Sequence, residues 1–81
     1  PFNPSTTIGY ALKENSQVSL VIYNTLGEKV KTLVNEEQIS NRYQVKWDGT
    51  NDLGAKVSSG VYIYRITAGN FVSTHKMILM K

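Results

Sequence analysis

Three places in this chain gather residue types that do chemistry. The first is "DGTND", where Asp48, Asn51 and Asp52 cluster oxygen donors. Hard cations such as calcium draw about six to eight oxygens from loops of this kind. The stretch lacks the bidentate glutamate and the glycine position of the calcium-loop pattern. Asp and Asn near glycine also build ordinary turns, because their side chains bond the local backbone. Turn chemistry is the leading expectation, with a weak cation loop as the other. The second place is Glu36-Glu37. Carboxylate pairs that cleave glycosides face each other across a cleft of defined width, and two sequence neighbours do not. The third is His75, the only histidine, which has no acid beside it and no cysteine to activate. Nucleophilic catalysis needs a nucleophile, a base and an orienting group. The sequence supplies no such constellation, so the expectation is a non-enzyme without cofactor or metal.

The elements around these residues read as strands and turns. Alternation at a period of two, rich in β-branched and aromatic residues, recurs between clusters of Gly, Asn, Asp and Ser. Thr6 to Leu12 is a first strand with Ile8, Tyr10 and Leu12 on one face. Gln17 to Asn24 is a second, with Val18, Leu20 and Ile22 inward. "NTLG" turns the chain, and Gly27 takes the positive φ that closes such a hairpin. Glu28 to Val34 returns. "NEEQISNR" is read as a loop whose left-handed residue is Asn41. Tyr43, Val45 and Trp47 then alternate with Gln44 and Lys46 as a half-buried strand. "DGTNDLGAKVSSG" is the longest loop, with room for a short strand near Lys56-Val57.

From Gly60 to Ala68 the strand offers two faces. Arg65 assigns Val61, Ile63 and Thr67 to water, so Tyr62, Tyr64, Ile66 and Ala68 point inward. Buried tyrosines then need hydroxyl partners or a place at the rim. Gly69-Asn70 is a hairpin signal, and Phe71 to Lys81 is the last strand. About six or seven short strands around a buried Trp47 indicate an all-β, immunoglobulin-like antiparallel sandwich; an open barrel is the alternative.

The chain of 81 residues is expected to be a single domain, 1–81. A domain this small buries roughly 60 % of its unfolded surface, so its margin of stability is thin. No cysteine is present to cross-link it. Nine Lys and Arg against six Asp and Glu give a net charge of +3, and the cations are scattered. Nucleic-acid binding would want a basic stripe with interleaved aromatics, so no nucleic-acid partner is expected. No apolar run approaches the ~20 residues that span a bilayer, which argues against direct membrane insertion. With Pro1 at its start, the chain reads as a fragment of a larger protein.

"KMILMK" poses the remaining question. Met77 and Leu79 share one parity, together with Phe71; Ile78 and Met80 share the other. A single core cannot take both faces. Ile78 and Met80 are either covered within the domain or open to a partner. If open, an edge with unpaired backbone beside them is a template for strand addition.

Four stretches together carry a resemblance: "PFNPSTTIGYAL", "VSLVIYNTLGEKVKTLV", "VKWDGTNDLGAKVSSGVYIYRITAG" and "KMILMK". Their order and spacing, with Asn3-Pro4-Ser5, Trp47-Asp48-Gly49 and Ser59-Gly60-Val61-Tyr62 most telling, are similar to the type A C-terminal sorting domain of type IX secretion cargo. The same strands resemble the immunoglobulin-like domain of the flagellar hook-capping protein. The sorting-domain resemblance implies the C-terminus of a larger exported protein from a Bacteroidetes-like bacterium. Sec would bring it to the periplasm, and the folded domain would direct it through the type IX translocon across the outer membrane to the cell surface or medium. A sortase-like peptidase often removes such domains, and cargo can be attached to surface lipopolysaccharide. The implied recognition residues are Lys76, Met77, Ile78, Leu79, Met80 and Lys81. One departure is that Ser40-Asn41 stands where the family often has glycine; Asn tolerates the left-handed region, so the turn is expected to survive. The rival expectation is a retained structural module that self-associates through edge strands into a surface fibre. A third is an inert spacer beside a glycan-degrading enzyme.

Overall fold

Two-residue alternation becomes six strands in the computed structural model, which describes residues 5–80. They are β1 (Thr6–Ala11), β2 (Ser16–Tyr23), β3 (Lys29–Gln38), β4 (Arg42–Trp47), β5 (Gly60–Ala68) and β6 (Phe71–Leu79). No helix occurs among the described residues. β1 and β4 pair antiparallel, with Ile8 opposite Val45 and Tyr10 opposite Tyr43. The other four form an antiparallel sheet in the order β3-β2-β5-β6. The inner faces of the two sheets enclose one core, which gives an immunoglobulin-like sandwich.

The inward residues are those that alternation selects. Ile8 and Leu12 come from the first strand and its end, Val18, Leu20 and Ile22 from β2, and Val34 from β3. Trp47, Tyr62, Ile66 and Leu79 complete the buried set, with Tyr10 and Tyr64 half-buried against it. Each fully buried large apolar side chain contributes on the order of 1.5–3 kcal/mol. The polar tips inside are satisfied: Trp47 Nε1–H donates to the Thr50 carbonyl at 2.8 Å, and the Tyr62 hydroxyl to the Ser58 carbonyl at 2.6 Å.

The turns follow local chemistry. Asn24 organises the β2–β3 hairpin, its Oδ1 accepting from the backbone N–H of Leu26 (2.9 Å) and Glu28 (3.0 Å). Gly27 sits at φ 83°, a region that costs a residue with a Cβ. In the β5–β6 hairpin Gly69 has φ 60°, while Asn70 is not left-handed; a positive φ at the first central residue alone suits a II′ turn.

Several boundaries and conformations differ from the sequence expectation. β3 continues through Asn35, Glu36 and Glu37 to Gln38, because β2 begins at Ser16 and offers them a partner edge. The polar composition of "NEEQ" suggested a loop; backbone pairing at a sheet edge overrides it. Asn41 does not take a positive φ. The β3–β4 connection crosses between the two sheets. It is held by Leu12 N–H to the Asn41 carbonyl and by Ser40 N–H to Asn15 Oδ1, each at 2.8 Å. Finally, β6 ends at Leu79, and Lys81 lies outside the described residues. Near Lys56-Val57 only a single bridge forms, between Thr50 and Lys56.

Candidate functional site

The end of β6 is where burial and parity separate most sharply. Leu79 lies opposite Gly60, which presents no side chain, and is 1 % exposed. Met77, opposite Tyr62, is half-buried against the core. Their neighbours point the other way: Ile78 is 61 % exposed and Met80 is 74 % exposed. Among the described residues β6 is the last strand of its sheet, so its outer edge presents unpaired N–H and C=O groups. Lys76 is exposed on the same face as Ile78.

That outer face has an order which only the register reveals. Lys29, Tyr23, Ile63 and Lys76 form one cross-strand row over β3, β2, β5 and β6. The next row holds Thr32, Val21, Arg65 and Thr74. The Arg65 guanidinium stands 5.4 Å from the centre of the Tyr23 ring, a cation–π contact that fixes it over the sheet. Val61 and Ile78 pair one row further along. The outward parity of Arg65 is legible in the sequence; its stacking on Tyr23 is not, because it depends on which strand lies beside β5.

On the inner side, β6 is only partly covered. Phe71 shares the inward parity of Leu79 yet is 61 % exposed, since the smaller sheet has just two strands to lay over four. A cavity of about 180 Å³ opens there between β1 and the β5–β6 ribbon, lined by Tyr10, Tyr64, Phe71 and His75 among others. His75 stacks on Tyr64 with centroids 5.2 Å apart, and its Nε2 lies 2.8 Å from Ser73 Oγ. His75 is therefore a rim residue with an aromatic partner.

The other sequence-flagged groups are dispersed. In "DGTND" each side chain serves a different part of the backbone. Asp48 Oδ1 accepts from the Thr50 hydroxyl at 2.6 Å and the Thr50 N–H at 3.2 Å. These bonds, the hydroxyl foremost, hold its carboxyl below the ordinary aspartate value of 3.8. Asn51 Oδ1 accepts from Leu53 and Ala55, and Asp52 Oδ1 from Thr32 N–H on β3, all at 3.0 Å. Among the described residues no group of three or more His, Cys, Asp or Glu is placed to hold a metal ion. Glu36 and Glu37, successive on β3, point to opposite faces. Glu36 Oε2 accepts from Gln38 Nε2 (3.3 Å), while Gln38 Oε1 accepts from the Tyr10 hydroxyl (2.6 Å). Burial, outweighing that bond, raises the Tyr10 phenol above its ordinary 10.0.

The profile of the FlgD Ig-like domain family matches residues 3–71. The chain belongs to this family. Among solved structures it is similar to FlgD from P. aeruginosa, with a TM-score of 0.71 and 18 % identity. That likeness covers 93 % of this chain and 59 % of the other, so the chain spans about three fifths of that protein's length. At such identity the likeness shows the fold. No curated protein sequence matches the chain. In this FlgD Ig-like domain the family match stops at residue 71, where β6 begins. The exposed apolar end of β6 therefore lies beyond the matched segment.

Proposed function

We propose that this domain is an address read through β6: a sorting signal that directs an attached protein through the type IX secretion system to the cell surface or medium. The observation that carries the reading is the split at the end of β6, where Leu79 anchors the strand while Ile78 and Met80 face outward beside an unpaired edge. A partner adding a strand there gains main-chain hydrogen bonds for affinity and side-chain pockets for selectivity. The resemblance of "KMILMK" and the preceding stretches to sorting domains supplies the partners: the translocon and its sortase-like peptidase. Recognition would use Lys76, Ile78 and Met80 outward, with Met77 and Leu79 holding the strand in place.

The test is export of a periplasmic reporter fused to this domain, in a host with a working type IX system. The full fusion should reach the surface or medium. Removal of 76–81, or the double change Ile78→Lys and Met80→Lys in a folded domain, should leave it in the periplasm. Periplasmic retention of the full fusion overturns the reading. A second reading starts from the same edge: a structural immunoglobulin-like module that joins copies through its edge strands. It predicts the intact domain in regular self-contact on the mature surface protein.

A further inference from the structure

The outer face beside β6 has a charge pattern that says what an added strand should carry. Over its β5–β6 half the outward residues are Val61, Ile63, Arg65, Thr67, Val72, Thr74, Lys76 and Ile78 by register. Two are cations and none is a carboxylate. Acidic residues of the larger sheet lie elsewhere: on β3, Glu36 is opposite the inward Val18 and Glu37 is outward, opposite Gln17 at the far corner, and Glu28 precedes β3 in the turn. Among the described residues, then, no carboxylate shares this half of the face with Lys76, on the very strand that ends the sheet. Arg65, held by Tyr23 one strand inward and opposite Thr74, adds positive potential of the same sign.

We propose that the segment which adds to β6 is an acidic, apolar-alternating strand of a partner protein, with a carboxylate opposite Lys76 and an apolar residue opposite Ile78. The proposal rests on the recognition reading above and gives its partner a chemistry. In an antiparallel or parallel addition, directly opposite residues share a face, with Cβ atoms about 5 Å apart in the antiparallel case. A carboxylate opposite Lys76 pairs with it, whereas a lysine there repels it. Ile78 and Val61 continue the same face as an apolar strip, so the partner's next outward residue rests against carbon. A second copy of β6 fits poorly: antiparallel self-pairing centred on Lys76 sets two ammonium groups face to face, and other registers leave Lys76 opposite Thr74, Val72 or Ile78, never a carboxylate.

The probe is a synthetic peptide, acetyl-Thr-Val-Thr-Glu-Thr-Val-Thr-amide, with a matched peptide carrying Lys in place of Glu. Both are titrated into the domain at low salt, with β6 amide shifts as the readout. The Glu peptide should bind about fivefold more tightly than the Lys peptide, the swing expected when an opposite-charge pair becomes a like-charge one. Lys76→Glu should reverse the preference, and Lys76→Gln should abolish it. Equal affinity for the two peptides, binding of neither, or a preference unchanged by Lys76→Glu overturns the proposal. Self-association of the free domain through β6, seen by sedimentation, overturns it in favour of a second copy. The reporter assay separates the two readings: if the fusion is exported and Lys76→Glu is exported equally well, the address stands and the charge rule falls. If the full fusion is not exported while the peptide preference holds, the reverse is true.

Discussion

Trp47 and Tyr62 meet edge to face inside the sandwich, their ring centroids 5.1 Å apart and their planes at 71°. The contact joins the two sheets, since Trp47 ends β4 and Tyr62 lies in β5. Each ring also has its polar tip bonded to a loop carbonyl, Thr50 for the indole and Ser58 for the phenol. One aromatic pair therefore ties both sheets to the long β4–β5 connection.

Truncation of this pair should be the most damaging core change. Trp47→Ala is expected to cost about 3–5 kcal/mol, enough to unfold most of a domain with so thin a margin. Tyr62→Phe keeps the packing and leaves the Ser58 carbonyl without its donor, at about 1 kcal/mol. Urea denaturation followed by tryptophan fluorescence measures both.

Backbone conformation, not space, restricts Gly27. A Cβ there meets nothing within 4 Å, yet φ is 83°. Gly27→Ala should destabilise the domain by about 1–2 kcal/mol, and Gly27→Asn by clearly less, since Asn tolerates the left-handed region. A loss equal for Ala and Asn in thermal melts would show that φ is not the cause.

Acid should weaken the fold partly through Asp48. Its folded-state pKa is depressed by the Thr50 bonds, so the ionised form is favoured in the native state. That contribution is present above the unfolded value and is lost as pH falls through the folded one. Asp48→Asn should therefore flatten the stability profile below pH 3.8, the ordinary value, relative to the unsubstituted domain. At the alkaline end the sign differs. Burial raises the Tyr10 phenol, so its contribution is held below 10.0 and lost as pH climbs through the folded value. Tyr10→Phe removes that loss. Paired urea midpoints across pH report both effects.

Neighbouring positions on β6 should respond in opposite ways. Leu79→Ala opens a buried site and is expected to cost about 2–5 kcal/mol. Ile78→Lys, on the exposed face, should change stability by no more than about 0.5 kcal/mol while abolishing recognition. Comparable destabilisation by the two changes would place Ile78 in the core and remove the basis of the edge reading.

By itself, the sequence determined which residues face inward. Val18, Leu20 and Ile22, the outward Arg65, the inward Tyr62 and Ile66 and the two glycine turns all follow from a period of two and from φ-permissive residues, which are local properties. The resemblance in its motifs likewise pointed to the immunoglobulin-like fold that the FlgD Ig-like family match bears out. Pairing was beyond its reach. Nothing local tells "NEEQ" that β2 begins at Ser16 and offers it an edge, or tells Asn41 that it lies on a crossing between sheets. Nor does alternation reveal that the smaller sheet has only two strands, which leaves Phe71 uncovered on an inward parity. The same holds at the candidate site. Two apolar parities in "KMILM" were legible, but a strand cannot say which face a neighbouring sheet will cover. Tertiary packing decided it, burying Leu79 opposite Gly60 and turning Ile78 and Met80 toward solvent, because one two-sided strand at a sheet edge has only one sheet packed against it.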